Sequence, residues 1–572
     1  MKENNKSPIL KYWLIIFLNI PYIQGGIILS EKNKKYNITR VANLREKENP
    51  GVIVEAEKPL SQSMLWELQT EFFSNQGPEA WIKGIVPQYI TTNPYIANQY
   101  AKTVFGYLRD YVAREDIDKN TVIYIMELAA GVGRFTYTFL KRFLHMIENS
   151  SLKGIKFKYI VTDFAERNIE YWQNHSFLKP YFESGVLDCA TFDISKDEEV
   201  ILRHSGEVLA SGKLKNPLIL FANYTFDSLP QDTFYVNNGE LFEGLITVTS
   251  PEDKGDPEDK SILAGLDYYY TDKKIDGNDY YEDKNFNDVL LHYKNSLEDT
   301  AIYMPIIGLR CISRLRKLFN DDIILISTDK GYKNEESMLG NYHPFLSKHG
   351  CISMTVNFHA LELYFKELGG KAIHSIYEHE NVNISLFLLS KNNNDLVETS
   401  MAYNEVIETI GPDDFYIMKK AIMPLSKSLT TKELLTFLRF TVWDARTLLE
   451  LYNILLERIP TEENFPKDEL IDAINNVWEH YFPIGEEGDL GYYVGSILGY
   501  LGQDNDALRF FESSLEFYGE CPETNYEIAL CYYNLQQIDS ALHYIEKSLS
   551  LDSDFEESKN LKNMIVDILS DI

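Results

Sequence analysis

The chain has 572 residues, which is too many for a single hydrophobic core, so two or three domains are expected. Hydrophobic residues make up 44% of the chain and charged residues 25%, as in ordinary folded proteins. The formal net charge of −31 argues against nucleic acid as a partner, because nucleic-acid binders use clustered Lys and Arg, and it favours a basic or neutral partner.

Residues 1–48 are predicted to be a leader that precedes the folded domains. Within it, residues 12–29 carry no charge and approach the length of an export signal or a membrane anchor, which is one reading of this segment. Pro21 and the pair Gly25 and Gly26 weaken a spanning helix. The other reading is an unprocessed leader of a cytoplasmic protein. Five scattered cysteines without a C-x-x-C pair favour a reducing compartment and imply no metal.

Residues 60–115 carry apolar and aromatic side chains at helical spacing, which predicts helices that cover the front of the following domain. A β-branched strand then ends at Glu127, and a loop of small residues with Ala129, Gly131 and Gly133 opens a helix. A second strand ends at Asp163. Glycines allow close approach of a ligand, helix amides face it, and the strand-end acid can accept from ribose hydroxyls.

This layout predicts a nucleoside ligand. The spacing E-x-x-x-G-x-G differs from the dinucleotide pattern G-x-G-x-x-G, so S-adenosylmethionine is favoured over a dinucleotide. A tight turn with a purely structural role is the alternative for the loop.

Strands alternate with helical segments up to about residue 388, which predicts a parallel sheet with helices on both faces. The third strand ends at Asp193, which can accept from an adenine amino group or serve only as a satisfied strand-end acid. The fourth strand ends at Asn223. The acidic, tyrosine-rich insert at 250–300 is either a solvated flap or an acidic face for a cationic substrate.

The C-terminal part repeats itself with a period of 34 residues, since ALRFFESSL at 507–515 returns as ALHYIEKSL at 541–549. This period resembles tetratricopeptide repeats, in which small residues let paired helices approach each other. Stacked repeats need neighbours, so the helical segments at 431–481 and 554–569 are expected to flank them. The sequence therefore predicts a helical linker region at 401–485 and a repeat domain at 486–572 that holds a protein or peptide.

The segment NYTFDSLP at 223–230, with the GELFE stretch at 239–243, resembles a motif of the MidA-type methyltransferases, N-E-x-x-D-A-L-P followed by G-x-W/L-x-E. Tyr224 stands where that motif has an acid, and Ser228 replaces its alanine. TTNPYIANQYAKTVFG, YIVTDFAERN, STDKGY and SMTVNFHAL resemble further motifs of the family in the same order. The resemblance spans about residues 90–370.

The resemblance implies a class I methyltransferase domain at 49–400 that acts on protein, with arginine as an acceptor. Carried over by position, the implied cofactor-binding residues are Thr92, Pro94, Glu127, Ala129, Gly131, Gly133, Asp163, Phe164, Asp193 and Asn223. The implied catalytic residues are Asn223, Asp227 and Glu243, with Asp329 as a further acid that could orient a guanidinium and take its proton.

The predicted fold class is therefore α/β, a Rossmann-like methyltransferase sheet with an N-terminal helical cover, followed by an all-α repeat region. The leading function is an S-adenosylmethionine-dependent protein methyltransferase. The alternative is a non-catalytic scaffold, favoured by Tyr224 and by Ala129 in place of the first glycine. Methylation of a small molecule would require a closed apolar pocket. No H-E-x-x-H pattern, nucleophile elbow or P-loop supports hydrolytic or kinase chemistry.

Overall fold

The computed structural model describes residues 51–114, 121–210, 214–250, 262–341, 343, 345–348, 351–390 and 396–570. All of them belong to one compact unit, Pro50–Ile572. The predicted leader and residues 251–261 of the predicted insert lie outside the described residues. The domain boundaries given above stay a prediction.

The strands are β1 (Val52–Pro59), β2 (Ile123–Leu128), β3 (Phe157–Asp163), β4 (Leu187–Thr191), β5 (Val200–Ile201), β6 (Val208–Leu209), β7 (Leu218–Asn223), β8 (Asp232–Asn237), β9 (Glu240–Ser250), β10 (Asp267–Ile275), β11 (Thr300–Met304), β12 (Ile323–Asp329), β13 (Gly331–Tyr332), β14 (Ser347–Lys348), β15 (Ile352–Ser353), β16 (Val356–Asn357), β17 (Lys371–His374) and β18 (Asn383–Leu389).

The α-helices are α1 (Met64–Gln76), α2 (Glu79–Ile82), α3 (Tyr89–Thr92), α4 (Pro94–Ala113), α5 (Arg134–Glu148), α6 (Glu166–Asn174), α7 (Lys179–Glu183), α8 (Ile262–Gly265), α9 (Lys284–Ser296), α10 (Ile306–Leu318), α11 (Phe358–Glu367), α12 (Val397–Tyr403), α13 (Pro412–Ile422), α14 (Thr431–Phe440), α15 (Ala445–Arg458), α16 (Lys467–His480), α17 (Leu490–Tyr500), α18 (Asp504–Tyr518), α19 (Pro522–Asn534), α20 (Ile538–Leu551) and α21 (Glu556–Ser570). Short 3-10 helices lie at Leu60–Gln62, Phe226–Ser228, Glu336–Met338 and Met423–Ser428, and a π-helical turn lies at Asn404–Glu408.

The central sheet has seven strands in the order β17-β18-β12-β7-β2-β3-β4. Strand β18 pairs antiparallel with both of its neighbours, whereas β12, β7, β2, β3 and β4 run parallel. Residues alternate between the two faces, so that Tyr124 and Met126 belong to one apolar core and Ile123 and Ile125 to the other. Apolar runs that are buried on both faces are typical of such sheets. The predicted α/β fold class is confirmed.

A second, antiparallel sheet contains β9, which pairs with β10 along one edge and with β1 and β8 along the other, and β11 extends it from β8. This sheet includes residues at both ends of the insert predicted at 250–300. The small apolar core of this sheet includes Leu60, Leu65 and Trp66 of the N-terminal cover, together with Ile246 and Val248 of β9. The first part of the cover therefore packs on this second sheet, whereas Ile96 and Tyr100 of α4 belong to an apolar core of the central sheet.

The chain from Val397 onward is helical throughout the described residues. Helix α17 packs on α18, and α19 packs on α20. The pairs approach closely because their contact positions are small: a Cβ on Gly495 would lie 2.6 Å from the Phe511 ring, and Ala529 and Ala541 are fully buried. The predicted all-helical C-terminal region is confirmed, whereas its assignment as tetratricopeptide repeats stays a prediction. No helix among the described residues has the length and apolar character needed to cross a membrane.

Tyr89 of the cover is hydrogen-bonded to a buried ion pair of the C-terminal helices. The Lys419 ammonium lies 3.1 Å from the Asp444 carboxylate, and their side chains are 6% and 3% exposed. The Tyr89 hydroxyl donates to the same carboxylate at 2.7 Å and accepts from Lys419 at 2.8 Å. Burial of Asp444 acts to raise its pKa, but the Lys419 charge and the hydrogen bonds outweigh it and lower the pKa.

Replacing Lys419 by Met should lower the free energy of unfolding by about 3–5 kcal/mol, because it leaves the Asp444 charge buried without its partner. The double variant Lys419→Met/Asp444→Asn should recover part of this loss. Chemical denaturation of the full chain measures both values. Lys284→Met is a suitable control, since Lys284 pairs with Asp288 while its own side chain is 85% exposed, and such exposed pairs contribute little to stability. Equal losses for Lys419→Met and the control would contradict the expected burial effect.

Candidate functional site at the carboxyl edge of the sheet

The loop between β2 and α5 has an unusual backbone. Ala129, Gly131 and Gly133 all have positive φ, at 50°, 57° and 77°. Glycine adopts this region without strain, whereas alanine pays a steric penalty in it. Two backbone bonds hold the turn: the Ala130 N–H donates to the Thr162 carbonyl and the Gly133 N–H to the Ala130 carbonyl. The loop is thus fixed to strand β3.

The Asp163 carboxylate, at the end of β3, faces this loop. Its Oδ2 accepts from the Gly131 N–H at 3.1 Å and its Oδ1 accepts from the Ala165 N–H at 3.0 Å. The Phe164 N–H is a further donor to this carboxylate. Burial raises the pKa of Asp163 to about 6 against the effect of these bonds. The strand-end acid and the glycine loop therefore form one unit, as the sequence predicts.

Glu127 lies behind the loop. Its carboxylate accepts from the Thr136 hydroxyl at 2.5 Å and from the Tyr159 hydroxyl at 2.6 Å. Burial is the largest influence and raises the pKa of Glu127 to about 7. The group is thus linked to α5 and β3, the two elements that flank the loop.

An aromatic side chain of the cover lies on the loop. A Cβ built on Gly131 would lie 2.8 Å from the Trp81 indole, and Trp81 stacks on Phe73 with ring centroids 5.7 Å apart. On the other side, the Trp172 Nε1–H donates to the Gly131 carbonyl at 2.9 Å. A side chain at Gly131 would therefore displace the Trp81 indole, and one at Gly133 would lie 3.0 Å from the Trp172 ring.

Strand order reverses between β2 and β7, which are neighbours although β3 and β4 lie between them in the chain. Ligands of open α/β sheets bind at the carboxyl ends of strands at such a point. Asn223 ends β7 there. Its Oδ1 accepts from the Tyr100 hydroxyl, while its Nδ2 is buried and has no hydrogen-bond partner among the described residues. An unpaired buried amide donor is costly, so a ligand acceptor is the natural partner.

Asp227 and Asp329 form an acidic pair beside Asn223. The Ser228 hydroxyl donates to Asp227 at 2.8 Å, and the Phe226 N–H donates to Asp329 at 3.1 Å. Burial raises the pKa of Asp227 to about 6. Burial and the adjacent Asp227 charge raise the pKa of Asp329 well above its usual value. Two adjacent carboxyls whose pKa values are both raised by burial can hold and pass a proton.

Tyr224, which replaces the expected acid, has φ 48° and donates its N–H to the Thr328 carbonyl at 2.9 Å. Burial is the main cause that raises the pKa of its hydroxyl, which stays protonated. The hydroxyl can therefore donate a hydrogen bond but supplies no negative charge at this position.

The remaining predicted residues lie at varied positions. Thr92 ends α3 and donates to the Gln88 carbonyl at 2.8 Å, and Pro94 begins α4, the helix that carries Tyr100. Phe164 is half-buried next to Asp163. Asp193 accepts from the Ser195 N–H at 2.9 Å and pairs with Lys196 at 2.9 Å, as a satisfied strand-end acid does.

Glu243 lies in the antiparallel sheet. Its carboxylate accepts from the Tyr280 hydroxyl at 2.6 Å and lies 3.9 Å from the Lys273 ammonium. These bonds place it in a different hydrogen-bond network from Asp227 and Asp329. Its assignment to the catalytic group stays a prediction.

Sequence reasoning missed the contact between the loop helix and the C-terminal region. Arg134, the first residue of α5, pairs with Glu486 at 2.5 Å. The His175 Nε2 lies 2.7 Å from the Pro483 carbonyl oxygen, and the Phe482 ring stacks on His175 at 4.0 Å. No local pattern signals these contacts, because the partners are more than 300 residues apart in the chain. Trp81 and Tyr100 were missed because they belong to ordinary amphipathic helical patterns.

No family model matches the chain. A stretch of 60 residues, 10% of the chain, is 42% identical to intraflagellar transport protein 70A of Danio rerio and covers 9% of that protein. Among solved structures, an uncharacterised protein of Burkholderia thailandensis is similar with TM-score 0.34 and 10% identity, over 64% of this chain and 97% of that one.

Another protein of Burkholderia thailandensis, crystallised with bound S-adenosylhomocysteine, is similar with TM-score 0.32 and 11% identity, over 61% of this chain and 88% of that one. The CurJ carbon methyltransferase follows with TM-score 0.24 and 12% identity, over 58% and 69% of the two chains. Likenesses this distant carry no argument about function. The interpretation below depends on the geometry of the site.

Replacing Gly131 by Ala should lower the melting temperature more than replacing Gly84 by Ala. Both glycines have φ near 60°, but a Cβ on Gly84 meets nothing within 4 Å, whereas one on Gly131 meets Trp81. The difference between the two variants, measured by thermal unfolding, isolates the clash with the indole. Trp81→Ala should shrink the effect of Gly131→Ala, and an unchanged effect would contradict this contact.

The acidic pair predicts a pH dependence of stability. The two carboxyls titrate near 3.9 in the unfolded chain but higher in the folded chain, so folding binds protons and stability falls as pH rises through about 4–6 and above. Asp329→Asn removes one of these carboxyls. The melting temperature of this variant, measured relative to that of the parent chain, should therefore increase as the pH rises from about 5 to 8. Asp554→Asn is the control, because the Asp554 side chain is 91% exposed. A difference that does not change with pH would contradict the assignment.

Proposed function

We propose that the chain is an S-adenosylmethionine-dependent methyltransferase that modifies a protein side chain, with arginine as the first acceptor to test. The observation that carries the proposal is the Asp163 carboxylate, which ends β3 and faces the glycine loop through its hydrogen bond with the Gly131 N–H. The residues fit a nucleoside: Asp163 would hold the ribose hydroxyls, and helix α5 has no side-chain cap at its first residue, so its first amides are open to a ligand.

When bound, S-adenosylmethionine supplies an electrophilic methyl group. The residues of the chain would orient the acceptor and take up its proton. The Asn223 Nδ2–H has no partner among the described residues. It can donate a hydrogen bond to an acceptor atom of the cofactor or of the substrate and so orient that molecule. A guanidinium that accepts a methyl group must lose a proton, and Asp227, with its pKa raised to about 6, can take it. The acidic pair also attracts a cationic side chain to this edge of the sheet.

The helices from Leu490 to Ser570 would recruit the protein that is modified. Their support is the 34-residue period of the sequence and the close pairing of α17 with α18 and of α19 with α20. Their contact with Arg134 through Glu486 would hold such a partner close to the loop helix.

A second candidate function is a non-catalytic scaffold that retains the sheet and uses its helices for assembly. The specific observation in its favour is Trp81, whose indole fills the space above Gly131 that a ligand would use. Ala129 in the left-handed region adds a local strain that a third glycine would avoid.

Calorimetric titration with S-adenosylmethionine and S-adenosylhomocysteine tests the leading proposal. The parent chain should bind both, and Asp163→Asn should weaken binding about tenfold or more, because a charged acceptor of ribose hydroxyls is lost. Glu183→Gln, an exposed carboxylate of the same domain, should leave affinity unchanged. A parent chain that binds neither compound would contradict the proposal.

Trp81→Ala separates the two candidates. If the indole is a wall of the ligand site, its removal weakens binding. If the indole plugs the site, its removal creates or strengthens binding, and the scaffold is favoured. Transfer of labelled methyl groups to proteins of a cell lysate then tests catalysis, and Asp227→Asn should abolish this transfer while leaving cofactor affinity within about twofold.

A further inference from the structure

Three potential metal ligands meet away from the loop. His292 lies on α9, Glu335 precedes the 3-10 helix Glu336–Met338, and His359 lies at the start of α11. One ligand atom from each of these side chains lies within 4.8 Å of the other two. The residues are separated by 43 and 24 positions, so no short motif of the sequence could have indicated them.

Neighbouring side chains hold this group in place. The Ser296 hydroxyl donates to the Glu335 carboxylate at 2.7 Å, and the same oxygen lies 2.7 Å from the His292 Nε2. The Tyr293 hydroxyl lies 3.0 Å from the His359 Nδ1, and Tyr293 is itself fully buried. Metal-binding imidazoles are typically fixed by a hydrogen bond at the other ring nitrogen in this way.

Other histidines of the chain pair with a carboxylate but lack the third ligand. His343 lies 2.6 Å from Asp272, and His379 lies 3.5 Å from Asp413. Across the part of the chain that the structure describes, a second imidazole joins such a pair only at His292 and Glu335. A hydrogen bond is enough to explain a histidine that lies beside a carboxylate. A second imidazole does not improve that hydrogen bond, but it supplies the third ligand that metal coordination requires.

The dimensions suit a small divalent ion after a modest adjustment. Ligand atoms around tetrahedral zinc, with bonds near 2.0–2.1 Å, are about 3.4 Å apart. The side chains of His292 and Glu335 are 43% and 29% exposed, so both can rotate toward an ion.

We propose that His292, Glu335 and His359 form a binding site for a divalent transition-metal ion of the zinc type, with water in the fourth position. Two imidazoles and one carboxylate are a donor set that zinc uses in proteins. The ion would join α9 and α11 to the segment between β13 and β14. This site is independent of the proposed methyl transfer, since its ligands take no part in the loop or the acidic pair.

The test is a titration of chelator-treated full-length chain with zinc in an excess of magnesium, followed by metal analysis and thermal unfolding. We expect one tightly bound ion per chain and a higher melting temperature with zinc than without it. Cobalt should give the visible absorption of a low-coordinate site. His292→Gln and Glu335→Gln should each weaken binding at least tenfold.

His343→Gln is the matched control, because it removes a histidine from a carboxylate pair that lacks a third ligand. It should bind zinc as the parent chain does. The proposal is overturned by a parent chain that shows no saturable binding, or by binding that is the same in His292→Gln, Glu335→Gln and the parent. It is also overturned if His343→Gln weakens binding as much as the other variants do. Circular dichroism without metal verifies that each variant is folded.

Discussion

The hydrogen bond from the Gly131 N–H to the Asp163 carboxylate is the interaction on which the candidate site depends. It ties the loop after β2 to the end of β3, and it explains why a loop with three left-handed residues keeps one conformation. The same carboxylate caps the start of the next segment through the Ala165 N–H. Without this acid, the Gly131 and Ala165 N–H groups would each need another acceptor in a nearly water-free environment.

Much of the central sheet could be predicted from the sequence because its information is local. Apolar runs such as 123–128 and 218–223 are short, β-branched and bounded by turn residues, and small residues after Glu127 indicate a tight loop. The acid at Asp163 follows from the end of the next run. The antiparallel sheet was not predicted, because its pairing joins β1 to β9 across nearly 200 residues, and only long-range contacts decide such a register.

The candidate site was predictable in part. Asp163, Asn223 and Asp227 lie where strand ends place them, but Asp193 uses its oxygens on Ser195 and Lys196, and Glu243 bonds to Tyr280. The position of a residue in the sequence predicts at which edge of the sheet its side chain lies. Its hydrogen-bond or ion-pair partner depends on tertiary packing, which the sequence pattern does not show. The same reason explains why Trp81 over Gly131 and the unpartnered Asn223 amide appear only in three dimensions.

The ion pair between Arg134 and Glu486 has a further consequence. Arg134 is the first residue after the left-handed loop, and Glu486 precedes the paired helices at the other end of the chain. A protein that binds those helices and strains this ion pair would change the free energy of the loop. Thermodynamic linkage makes such a coupling reciprocal. A ligand in the loop and a protein on the helices would then change each other's affinity by the same factor.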